Sequence, residues 1–191
     1  MFLAEPPVDE AVAASYAECE ADCGYVMNYR HAWAWRQDVA NAFNDARNLL
    51  GSTTALSPRE IAVINSAVAG SRDDAACAFA WGTRLAAQTD PELAADVLRG
   101  AITGLDDRSR ALARWARLVA TDPNATTQAD VQALRDVGVE DRAIVEATVL
   151  AAFRLAFTAV NDALGTDADH ELAEAAPPAV RAAVTFGRSS S

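Results

Sequence analysis

Apolar residues along this chain recur every three to four positions and rarely alternate with polar ones, a spacing that predicts helices nearly throughout and only weak strand signals. The first predicted helix covers residues 9–22, with Gly24 as its stop. Residues 24–34 read as a loop with aromatic anchors Tyr25, Tyr29 and Trp33, followed by a helix from about Trp35 to Leu50 that ends at Gly51. Ser57-Pro58-Arg59-Glu60 has the makings of a helix start: Ser57 caps, Pro58 fits the first turn and Glu60 completes a capping box. That helix runs through Ile61, Val63, Ile64 and Val68 to Gly70.

Asp73 or Asp74 caps the next helix, which carries Cys77, Phe79, Trp81 and Leu85 and reaches about Gln88. Asp90-Pro91 opens a shorter helix ending near Gly104, and Asp106 or Asp107 opens another with Leu112, Trp115, Leu118 and Val119 on its buried face. After a turn at Asp122-Pro123-Asn124, Thr126 or Thr127 caps a helix stopped by Gly138. Glu140-Asp141 begins the longest helix, to about Leu164. It is apolar nearly all round and is expected at the centre of the fold. Pro177-Pro178 breaks the chain before a last short helix over residues 179–186. The pattern gives one all-α domain, residues 1–191, as a compact bundle of eight or nine helices, with residues 1–9 and 187–191 expected to be loosely ordered.

A net charge of −11, with Arg interspersed among Asp and Glu rather than gathered in a stripe, argues against a nucleic-acid or anionic-membrane partner. The start of the chain carries Glu5 and two prolines where a secretory leader would need basic and apolar residues, and the longest apolar run, residues 143–160, is interrupted by Glu146 and Arg154. Three cysteines, Cys19, Cys23 and Cys77, suit a reducing compartment better than a disulfide framework, so a cytoplasmic location is expected.

Candidate chemistry is sparse. Cys77 falls in the first turn of a predicted helix, where the helix dipole favours a thiolate, but Asp73 and Asp74 oppose it, and an inert buried cysteine is the plainer reading. Cys19 and Cys23 lie four apart on one helical face and supply at most half of a tetrahedral metal site. Neither histidine, His31 or His170, sits in a metal or nucleophile motif, and glycine-rich phosphate loops are absent. No cofactor or metal is implied.

The stretch from Leu56-Ser57-Pro58-Arg59-Glu60 through Cys77-Ala78-Phe79-Ala80-Trp81-Gly82 resembles the alkylhydroperoxidase D-like superfamily, which includes the carboxymuconolactone decarboxylases. The opening Met1-Phe2-Leu3 with Gly24-Tyr25-Val26-Met27-Asn28-Tyr29 is similar to its peroxidase-related branch, as are Ala133-Leu134-Arg135-Asp136-Val137-Gly138, Asp141-Arg142-Ala143-Ile144 and Asp162-Ala163-Leu164-Gly165. The resemblance implies an all-α bundle that assembles into a homo-oligomer. It also implies a redox motif, Cys-x-x-Cys-x-x-x-His, with a glutamate on the preceding helix. The second cysteine is then the peroxidatic thiol, the first resolves it, and Glu and His relay protons. Aligned without gaps, Cys77 takes the second cysteine's place, while Asp74, Trp81 and Ala62 stand where the first cysteine, the histidine and the glutamate are expected.

Two functions follow. In one, the chain is a thiol-dependent peroxidase or antioxidant protein with altered machinery, Cys77 as nucleophile and Asp74 as base or water-orienting group. In the other, it is a pseudoenzyme whose old pocket, at Trp81 and Ala62, binds a small ligand or serves assembly. Lacking a second thiol and a relay base, the sequence predicts weak or absent turnover of hydroperoxides. The partners expected are a small hydroperoxide or other small molecule and further copies of the chain, with residues 25–35 as the candidate interface.

Overall fold

The structure, a computed structural model, describes residues 1–188; residues 189–191, part of the expected loose tail, lie outside it. The described residues form α1 (Glu10–Cys23), α2 (Asn28–Trp33), α3 (Gln37–Thr53), α4 (Pro58–Ser71), α5 (Ala75–Gln88), α6 (Pro91–Arg99), α7 (Asp107–Thr121), α8 (Gln128–Asp136), α9 (Asp141–Ala163), α10 (His170–Ala175) and α11 (Pro178–Ala183), with 3₁₀ turns at Ala34–Arg36 and Pro123–Ala125 and no strand. The all-α architecture is the expected one. Asp9, Ser57, Asp74, Asp90, Asp106 and Thr127 each accept a hydrogen bond from a backbone N–H in the first turn of the helix that follows. Ser57 and Glu60 close the reciprocal capping box read from the sequence.

Several boundaries differ from the sequence reading. Residues 28–33 are helical rather than loop, because Tyr29 and Trp33 dock as one face against Phe157. Helix α3 runs through Gly51 to Thr53, since Gly51 meets no neighbour and keeps ordinary helical geometry. Helix α6 stops at Arg99, where Gly100 takes the left-handed conformation. The lead is held as well: the Phe2 N–H donates to the Leu164 carbonyl at 2.9 Å, and the Arg188 guanidinium lies over the Phe2 ring.

Helix α4, not α9, is the central helix. Every residue from Ala62 to Ala69 is buried, against α5, α6, α7 and α9. It reaches α6 so closely at Gly70 that an added Cβ would sit 2.0 Å from the Leu98 carbonyl oxygen. Helix α9 is long and apolar enough to cross a membrane by length and composition, but it lies on one side of α4 and leaves Val145 62% exposed. Its two interior charges have partners inside the fold. Glu146 accepts from the Thr54 hydroxyl, the Ala55 N–H and Arg142. Arg154 reaches across to α4 and α5, where the candidate site lies.

Candidate functional site

Cys77 sits in the first turn of α5 because Asp74 caps that helix, its Oδ1 accepting the Cys77 N–H at 2.9 Å. The second oxygen of Asp74 accepts from the Thr158 hydroxyl on α9. Asp74 is thereby committed on both oxygens and buried, which suits a structural cap better than a free base. On the other side of the sulfur stands Arg154. Its Nη1 lies 3.0 Å from Cys77 Sγ, and its Nε donates to Asn65 Oδ1 on α4, also at 3.0 Å.

The thiol is 3% exposed. Burial pushes its pKa up, the Arg154 charge pulls it down and Asp74 pushes it up again, with a net rise from 9.0 to about 12. Loss of water around the sulfur outweighs the guanidinium, so the thiol is neutral near pH 7.

Cys77 borders a cleft of about 140 Å³ that opens to solvent, smaller than the ~300–1,000 Å³ usual for drug-sized ligands and so suited to a small molecule. Trp81, Phe157 and Tyr29 supply its aromatic wall, and Arg47, Arg84 and Arg154 supply cations. Trp81 lies between two of these, with guanidinium carbons 4.6 Å (Arg84) and 5.2 Å (Arg154) from its ring centroid. The indole does not close the cleft. It stands as a partition with Arg47 and Arg154, bordering a second hollow between α3 and α9 on its other side.

Of the residues singled out in the sequence, Cys77, Asp74 and Trp81 come together in the cleft. Ala62 does not: it is buried in the α4 core and is absent from the cleft wall. Glu60, two residues earlier, is occupied by its capping box and by Arg108. Both histidines are elsewhere, His31 beside Tyr16 and Glu5 and His170 beside Glu174. Cys19 accepts the Met27 N–H, and neither it nor Cys23 borders the cleft. The cleft wall thus contains one thiol and no imidazole among the described residues. Sequence reasoning missed Arg154, Asn65 and Thr158. Arg154 did leave a signal, as a lone cation inside the most apolar helix, which requires a buried partner.

No protein-family model and no curated protein matches the sequence. Solved structures do match. A peroxidase-related protein from Silicibacter sp. TM1040 superposes with a TM-score of 0.80 at 24% identity, covering 90% of this chain and 93% of that one. The alkylhydroperoxidase AhpD core of a peroxidase-related protein from Ralstonia eutropha JMP134 gives 0.79 at 21% identity with the same coverage. The chain has the alkylhydroperoxidase D-like fold. A third match is the debrominase Bmp8, solved as a cysteine-to-alanine variant with 2,3,4-tribromopyrrole. Its TM-score is 0.69 at 14% identity, covering 96% of this chain and 97% of that one. The resemblance read from the sequence holds at the level of this helical fold.

Proposed function

We propose that this protein is a small-molecule-binding member of the alkylhydroperoxidase D-like fold in which thiol peroxidase turnover is weak or lost. The observation that supports this reading is the setting of Cys77: a buried sulfur whose pKa is pushed to about 12, in a cleft whose described wall offers neither a second thiol nor an imidazole. Attack on a hydroperoxide needs a thiolate, a proton for the leaving alkoxide and a thiol to resolve the sulfenic acid. The described wall supplies the sulfur but neither a resolving thiol nor an imidazole to relay protons. The cleft itself is small and aromatic-walled, and a debrominase of the same fold is known with a small aromatic bound.

A second reading, a thiol-dependent peroxidase, draws on one observation: Arg154 Nη1 at 3.0 Å from Cys77 Sγ, a cation able to steady a thiolate. A peroxide-consumption assay with a thiol reductant separates the two. The binding reading expects no turnover above the reductant alone. Robust turnover that disappears in Cys77→Ser would reject it.

The reading includes a cytoplasmic homo-oligomer. Three free cysteines suit a reducing compartment, and the exposed Leu49 and Val145 side chains leave apolar surface available to a further copy of the chain. The aromatic segment at residues 25–35 is a poorer interface candidate than the sequence suggested. Tyr29 already meets Phe157 edge-on and Trp33 stacks on it within the chain, and Trp33 Nε1 donates to Asn161.

A further inference from the structure

Arg154 is 5% exposed, yet among the described residues no carboxylate lies within ion-pairing distance of it. Its hydrogen-bond partners, Asn65 and Cys77, are neutral at pH 7. A guanidinium taken out of water without a counter-charge is costly, and native folds rarely leave it so unless something charged arrives. Arg47 and Arg84 border the same cleft and likewise have no carboxylate partner among the described residues. Arg47 donates only to Asn44, and Arg84 stacks on Trp81. Burial lowers the pKa of both, and the neighbouring Arg154 charge lowers each further. Three like charges are therefore held close enough to repel.

None of the cleft's acids forms a direct ion pair with these three arginines among the described residues. Asp74 is held by Cys77 N–H and Thr158, Asp169 by the Asn28 N–H at 2.7 Å, and Asp167 by the N-terminal amine at 3.7 Å. Asp162 stands at the exposed rim, and the cations that act on it are Arg188 and Arg72. The cleft thus has a cationic end, made by α3, α5 and α9, whose three guanidinium groups have no carboxylate in direct contact among the described residues.

Resting on the binding reading above, we propose that the cleft takes a small organic carboxylate, its anionic group among Arg47, Arg84 and Arg154 and its apolar body against Phe157 and Trp81. Guanidinium forks match a carboxylate, and the aromatic faces suit a flat or branched hydrocarbon body.

The test is calorimetric titration of the full chain with benzoate, with its neutral analogue benzamide and with inorganic phosphate. The proposal expects benzoate to bind at least about tenfold tighter than benzamide, in line with charge-assisted hydrogen bonds. It also expects Arg47→Gln and Arg84→Gln each to weaken benzoate about tenfold while leaving the melting temperature near the parent value. Neither arginine anchors the fold by an ion pair, so these variants avoid the disruption expected at Arg154. Equal binding of benzamide, phosphate binding without benzoate binding, or benzoate affinity unchanged in both variants would overturn the proposal. So would no binding of any of the three probes. Peroxide turnover dependent on Cys77 would overturn the binding reading instead and leaves the arginine measurements to be judged on their own.

Discussion

Arg154 on α9 and Cys77 on α5, 77 positions apart in sequence, meet with Nη1 at 3.0 Å from Sγ, both side chains buried at the edge of the cleft. A guanidinium at that distance favours a thiolate, but burial and Asp74 oppose it, and the balance leaves the sulfur protonated. The contact therefore identifies the floor of a cleft without making a nucleophile there.

Asp74 is the adjustable part of that balance. In Asp74→Asn the side-chain oxygen still caps α5 and the amide faces Thr158 Oγ1, which can accept as well as donate. The negative charge beside the sulfur is gone. We expect a lower thiol pKa and faster alkylation of Cys77 at alkaline pH than in the parent, read by mass spectrometry of the peptide containing residue 77. An unchanged rate would mean that burial and Arg154, not Asp74, set the thiol.

Much of the fold is legible locally, and little of the site is. The caps Asp9, Ser57, Asp74, Asp90, Asp106 and Thr127 act within three residues of sequence, so their helices start where the pattern predicts. Helix α2 escaped because its six residues are stabilised by docking on Phe157 rather than by their own spacing. The centrality of α4 was masked by the stronger apolar pattern of α9, although α4 contains the small residues that permit close approach, such as Gly70. At the site, Cys77, Asp74 and Trp81 share one helix start and could be read together. Arg47, Asn65, Arg154 and Thr158 come from three other helices, and only the tertiary fold brings them to that start.

Asp162 makes stability depend on pH. Partial loss of water at the rim of the cleft and the nearby Asp74 charge raise its carboxyl from 3.8 to about 6. The folded state holds this proton more tightly than the unfolded chain. Its stabilising contribution is full below about pH 4 and is lost as pH rises through about 6. Asp162→Asn mimics the protonated form at every pH. Its melting temperature should exceed the parent's at pH 8 and match it at acidic pH, with the gap opening across that window in thermal melts followed by circular dichroism.

Gly70 fixes the distance between α4 and α6. A methyl there would fall 2.0 Å from the Leu98 carbonyl oxygen, a backbone atom that cannot rotate away. Gly70→Ala should cost about 3 kcal/mol in urea unfolding, at the upper end of ordinary overpacking, because the helices must separate. Gly51→Ala is the control. Nothing lies within 4 Å of its added Cβ, so better helix propensity should stabilise by up to ~1 kcal/mol.

The charge state of Cys77 decides between a binding cleft and a peroxidase site, and its Cβ resonance, followed by NMR from neutral to alkaline pH in protein labelled at cysteine, reports it directly. The account predicts a thiol signal unchanged through the ordinary cysteine range near ~8.5, with no thiolate at neutral pH. A Cys77 signal that titrates below ~7 would contradict it and make Arg154 the activator of a nucleophile.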